Sequence, residues 1–158
     1  MLTPCLGLIY TKTDKYCRFY SLSMRISKKT QYGLRAMVYL ASIFEEGEIC
    51  CLRKISKKEN ISFDYLEKII SRLEKNKLLK SKRGVKGGYY LSRSPNKIKV
   101  GEIIKVLEET MAPVKCVSME KKYHCPRKKV CKTITVWKKV QDNLISTLNS
   151  ITLADLIK

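Results

Sequence analysis

A chain of 158 residues holds one compact domain with an appendage, and its 44% apolar content is enough for a core, which excludes a wholly disordered chain. Lysine and arginine number 33 against 14 aspartate and glutamate, a formal charge of +19 that points to a polyanionic partner. The excess runs through residues 24–94 and 95–158 alike, so it belongs to a folded surface and favours nucleic acid over a membrane. No run approaches the roughly 18 apolar residues of a bilayer span, and no cationic segment precedes the short apolar run 6–10 as in a secretory signal. The expected compartment is the cytoplasm, with no membrane partner. Seven cysteines in such a reducing setting indicate metal or redox chemistry more than disulfides.

Residues 1–23 show no sustained period and are expected to be an N-terminal extension, disordered or not translated. Ser27 is the expected N-cap of a first helix reaching Phe44, with Leu34, Met37, Val38, Ala41 and Phe44 at helical spacing. Gly47 ends it. A short second helix spans 52–59, with Leu52 and Ile55 inward. After the turn Asn60-Ile61-Ser62, a third helix begins, capped by Ser62, with Asp64 at the positive end of its dipole. Phe63, Leu66, Ile70 and Leu73 are its expected buried stripe.

Two short strands, 79–82 and 88–91, flank the basic loop Arg83-Gly84-Val85-Lys86-Gly87. Gly87 and Gly88 are expected to supply positive φ there. After the break Ser94-Pro95-Asn96, Val100, Ile103, Ile104 and Leu107 mark a fourth helix. Residues 110–131 form a loop carrying three cysteines. A last helix is expected over 132–150, striped by Ile134, Trp137, Val140, Leu144, Leu148 and Ile151. It lies outside the compact unit, so its apolar face is expected to meet a partner subunit.

The fold class is therefore mainly α with a small β-wing: a winged helix-turn-helix plus a long C-terminal dimerisation helix. The expected division is 1–23 extension, 24–109 DNA-binding domain, 110–131 cysteine loop and 132–158 dimerisation helix and tail. Such a fold lays one helix in the DNA major groove. Asp64, Glu67, Lys68 and Arg72 share a face of the third helix. A carboxylate in a basic binding surface repels phosphate, so Glu67 and Asp64 are candidate base readers, since a carboxylate accepts from the cytosine amino group. The alternative is a solvated face with pairs such as Asp64 to Lys68. Arg83 at the wing tip is a candidate for a narrow minor groove, with Lys86 beside it. Lys28, Lys29 and Ser62 complete the candidate contacts, the lysines as phosphate contacts.

Cys116, Cys125 and Cys131 are separated by eight and five residues. Zinc sites use paired cysteines at shorter spacing and four ligands, whereas an iron–sulfur cluster accepts wide spacing because its cysteines bind separate irons. Lys115, Lys121, Lys122, Arg127, Lys128, Lys129 and Lys132 surround the thiols and favour thiolates. A zinc site and free thiols are the alternatives. Cys5, Cys17, Cys50 and Cys51 are read as core or incidental. No Gly-rich phosphate loop, nucleophile elbow or HExxH site occurs, so no enzyme is expected.

The segments MRISKKTQYGLRAMVYLA from Met24, ISFDYLEKIISRLEKNKLL, RGVKGGYYL, VGEIIKVLE and ITLADL together resemble the IscR/NsrR/CymR family of bacterial winged-helix regulators, the Rrf-two family, over residues 24–157. The resemblance implies a homodimer that binds a double-stranded operator, with a 2Fe–2S or 4Fe–4S cluster on the three cysteines. Members so built sense cluster supply, iron, nitric oxide or redox state. By position it matches Glu67 and Arg83 to the family's major-groove and minor-groove readers. Asp64 stands where the cluster-biogenesis regulator has serine, so a different target preference is expected.

The fourth ligand departs from the family. The histidine three residues after the last cysteine is here Ile134, and the aspartate that the nitric-oxide-sensing branch takes from the partner's first helix is here Gln31. An amide oxygen is a poor iron ligand. His124, the only histidine, adjoins Cys125. The position stays open between His124 and Gln31 of the partner subunit. The long first gap looks more like the nitric-oxide branch, and a 4Fe–4S cluster is expected over a 2Fe–2S one.

Overall fold

The computed structural model describes residues 26–45, 47–118 and 125–158, and the expectation for residues 1–23 lies outside them. The described residues form five α-helices, one two-stranded sheet and three short 3₁₀ turns.

Helix α1, Lys28–Ser42, starts as its sequence dictates: the Ser27 hydroxyl accepts from the Thr30 amide at 3.2 Å. It stops at Ser42, before the expected Phe44, and the chain turns through Ile43 to Gly47 at φ +64°. Its buried face is Ala36, Met37, Leu40 and Ala41. Helix α2, Leu52–Glu59, buries Leu52 and Ile55 as expected. Asn60 then takes the left-handed conformation at φ 51°, and the Ile61 amide donates to the Ser56 carbonyl at 3.0 Å. The Ser56 hydroxyl donates back to the Ile61 carbonyl at 2.6 Å, and Ile61 is buried. These bonds fix the turn and with it the angle at which α3, Phe63–Lys75, leaves α2.

The buried stripe of α3 is Leu66, Ile69, Ile70 and Leu73. Ile69 takes the place expected for Phe63, which is 39% exposed. Phe63 is the first residue of the helix, and the core cluster lies under the turns that follow.

Strands β1, Leu79–Lys82, and β2, Gly88–Leu91, pair antiparallel in the register Leu79 to Leu91 and Lys82 to Gly88. Positive φ falls on Gly84, at +113°, and not on Gly87 or Gly88. Those two are needed for close approach. A Cβ on Gly87 would strike the Lys82 carbonyl oxygen across the turn, and one on Gly88 would strike the backbone of Cys50, whose amide and carbonyl pair with Tyr89. Cys50 is fully buried, as its core reading requires.

Helix α4, Val100–Leu107, crosses α1 and α3 and buries Val100, Ile103, Ile104 and Leu107. Helix α5, Ile134–Ser150, has no buried residue of its own. It is not wholly outside the compact unit, because its last turns lie against α4, where a Cβ on Gly101 would strike the Asn149 side chain. Beyond it, the Val100 amide donates to the Ile151 carbonyl at 2.9 Å and the Leu153 amide to the Ile98 carbonyl at 3.0 Å. Leu153 is completely buried in the core cluster. No helix among the described residues is long and apolar enough to cross a membrane.

Candidate functional site

Helix α3 presents Asp64, Glu67 and Lys68 to solvent, with Arg72 half-buried. The pairing of Asp64 with Lys68 does not form; among the described residues neither they nor Glu67 enter an ion pair. Ser62 takes the N-cap position of α3, but its side chain makes no capping bond and is exposed. The wing lies alongside α3. The Ser81 hydroxyl donates to the Glu74 carboxylate, and Tyr89 on β2 has its pKa raised by burial and then by the negative charges of Glu74 and Glu67. Arg83 and Lys86 stand exposed at the wing tip, where the Gly87 amide closes the turn on the Gly84 carbonyl at 2.9 Å. Lys28, exposed, and Lys29, half-buried, open α1.

That end of α1 is tied to the end of α4. The Ser27 amide donates to Glu108 Oε1 at 2.8 Å. Burial raises the Glu108 pKa, but hydrogen bonds from Ser27 and Thr30 and the charge of Lys29 outweigh it and hold the carboxyl below its ordinary value. Tyr32, one turn along α1, meets Tyr65 of α3 edge to face at 6.0 Å. The Arg35 guanidinium sits 5.7 Å from the Tyr32 ring centre and pairs with Glu59 at 3.0 Å. This cluster ties α1, α2 and α3 together at the surface, and nothing in the periodicity of any single helix signals it.

The cysteine segment follows directly. Cys116, Cys125 and Cys131 are free, half-buried thiols. Cys116 lies in a 3₁₀ turn, Lys115–Val117, that packs against α5. Cys131 lies just before the N-terminus of α5, 3.3 Å from the Thr133 hydroxyl. That hydroxyl, then the Thr133 and Ile134 amides and the Arg127 charge, lower its thiol pKa. In kind, these donors suit a cluster, which binds thiolates. Among the described residues, however, no three His, Cys, Asp or Glu side chains gather as a metal site. Residues 119–124, including Lys121, Lys122 and the candidate ligand His124, lie outside the described residues. Gln31 is exposed, and its amide donates to the Ile26 carbonyl of its own chain at 2.9 Å.

Along α5, Ile134, Trp137, Val140, Leu144 and Leu148 are half-buried and Val136 is exposed. An open groove of about 670 Å³ beside the contact of α4 with α5 is lined by Lys105, Glu108, Met111, Gln141 and Ile145 among others.

Against known proteins, the Rrf2 family, described as "Iron-dependent Transcriptional regulator", matches residues 26–158. The chain belongs to the Rrf2 family. It is similar to the HTH-type transcriptional regulator IscR of Pectobacterium carotovorum subsp. carotovorum strain PC1, 38% identical over 134 residues, covering 85% of this chain and 79% of that protein. IscR of Escherichia coli O1:K1 / APEC is 37% identical over 134 residues, covering 85% and 80%. Among solved structures, T. potens IscR superposes with a TM-score of 0.65 at 40% identity, covering 84% of this chain and 85% of that one. CymR (YrzC), the global cysteine regulator of B. subtilis, superposes at 0.67 with 36% identity, covering 84% and 95%. The winged helix described above is thus that of the Rrf2 regulators, and this Rrf2 protein is a DNA-binding transcriptional regulator of the IscR type, not an enzyme.

Proposed function

We propose that the protein is a homodimer whose operator binding is set by an iron–sulfur cluster on Cys116, Cys125 and Cys131. Residues 24–109 bind DNA, 110–131 hold the cluster, 132–158 pair the subunits, and 1–23 are an extension. The observation that carries the reading is the position of two of the thiols against α5. Cys116 sits in the turn packed on that helix and Cys131 at its N-terminus, so a change at the thiols acts directly on the pairing helix. The iron-dependence in the family's description supports the same reading. When bound, the cluster supplies a group that responds to redox state and nitric oxide, with a 4Fe–4S form favoured. The fourth ligand falls to His124 or to Gln31 of the partner subunit, and Gln31 would have to release the Ile26 carbonyl to serve.

On DNA, α3 enters the major groove with Glu67 accepting from a cytosine amino group. Ser62, Asp64, Lys68 and Arg72 flank that contact. Arg83 and Lys86 place the wing in the minor groove, and Lys28 and Lys29 take phosphates. The test is anaerobic purification. Iron–sulfur absorption bands are expected, each of Cys116→Ser, Cys125→Ser and Cys131→Ser should remove them, and Cys50→Ser and Cys51→Ser should not. Operator affinity should change on adding nitric oxide. A colourless protein that binds DNA equally before and after nitric oxide is the zinc or free-thiol alternative.

A further inference from the structure

Arg53 stands in the first turn of α2, and its guanidinium carbon lies 5.9 Å from the centre of the Phe63 ring at the start of α3. Of the other cations on α2, Lys54 pairs with Glu48, while Lys57 and Lys58 make no ion pair; among the described residues only Arg53 of these lies over an aromatic ring. Arg53 has no carboxylate partner among the described residues and is exposed. An aromatic face restricts a guanidinium without neutralising it. Phe63, in turn, stays 39% exposed, the one member of the expected stripe of α3 that is not buried. The pair therefore presents an oriented, uncancelled positive charge where α2 meets the first residue of α3.

That location has a meaning in a helix-turn-helix. The first helix crosses the DNA backbone while the N-terminal residues of the second reach base edges. We propose that Arg53 is a further phosphate contact of this regulator and that Phe63 is its positioning residue. The planar fork of an arginine engages phosphate oxygens two at a time, and holding the fork in place reduces the entropy lost on binding. The proposal rests on the reading of α3 as the groove-entering helix, so the experiment separates the two.

Binding of the full chain is measured on two duplexes, an operator selected by the wild-type protein from a randomised pool and one of scrambled sequence. Between about 50 and 200 mM salt, wild-type affinity is expected to fall about 3.5-fold further than that of Arg53→Ala, the effect of one lost phosphate contact, and equally on both duplexes. Arg53→Lys should keep the wild-type salt slope but bind more weakly. It also carries the test should Arg53→Ala fail to melt with the wild type. Phe63→Leu should keep the slope and lose about 2- to 5-fold in affinity on both duplexes. A wild-type slope and affinity in Arg53→Ala would overturn the contact. Wild-type affinity in Phe63→Leu, or a loss confined to one base pair, would overturn the positioning role. Glu67→Ala in the same assay reports on α3: if base preference survives it while Arg53→Ala flattens the slope, the groove-entering reading fails and the phosphate contact stands. The opposite pattern removes Arg53 alone.

Discussion

The winged-helix unit and the segment that follows it differ in how far one chain satisfies them. From α1 to α4 the apolar faces close on one another: Met37, Leu40, Ile55, Leu66, Ile69, Ile70, Leu73 and Ile103 are all but sealed from water. From Thr110 to Ser150, by contrast, Pro113 is the only described residue that reaches full burial, the thiols are half-covered, and α5 carries an apolar stripe with no complete cover. The first region can keep its geometry whatever is bound to it. The second is left open by this chain, as the proposed cluster and second copy require.

The comparison breaks most visibly at the α5 stripe. Two leucines buried in the proposed interface are together worth up to about 3–6 kcal/mol, so Leu144→Asp with Leu148→Asp should convert the proposed dimer to monomer in sedimentation while leaving the helical signal of the winged-helix unit. An intact dimer would mean that the uncovered stripe is not the pairing surface. Inside the sealed region, Ile69→Ala should lower unfolding free energy in denaturant by about 2–5 kcal/mol, with Phe63→Ala costing clearly less. Equal losses would mean that the core extends over the start of α3.

Glu67→Ala tests the face of the sealed unit that meets DNA. It should cost about 1–3 kcal/mol on the operator and relax preference at one base pair, while nonspecific affinity holds or rises with one negative charge gone. A uniform loss on every sequence would remove Glu67 as a base reader.

The smallest effect lies within the winged-helix unit, where Glu108 at the end of α4 binds the Ser27 amide at the start of α1. Its folded pKa is depressed, so it contributes stability above the ordinary glutamate value of about 4.3, and that contribution is lost as pH falls through the folded value. The melting-temperature difference between wild type and Glu108→Gln should therefore be present at pH 6 and close on acidification below about pH 4. A difference that stays constant with pH would mean that the charge is not what ties α4 to α1.

The sealed region was also the more legible from sequence. Asn60 and the wing glycines punctuate so strongly that α2, β1 and β2 run where their residues predict. Errors fell where a local rule met a tertiary fact. Phe63 fits the apolar spacing of α3, yet it lies at the helix start, where Arg53 and not the core meets it. Gly87 and Gly88 look like turn formers, but the approach of Lys82 and Cys50 is what excludes a side chain there. In the second region, cysteine spacing shows that the thiols share a loop. It cannot show whether they gather, because that depends on the path of the chain between them. Leu153 gave no periodic signal at all: it is one residue in a short tail, and only its pairing with Ile98 reveals that it completes the core.

The return of Leu153 bears on the order in which a cell can make this molecule. A ribosome that has finished α4 has produced every residue expected to touch DNA, yet the core beneath them still lacks its last plug. The cysteines and the whole of α5 must be synthesised before residue 153 emerges and the hole is filled. A nascent chain stalled anywhere in that interval carries an unfinished core, so the completed fold is released only with the cysteine segment and α5 already attached.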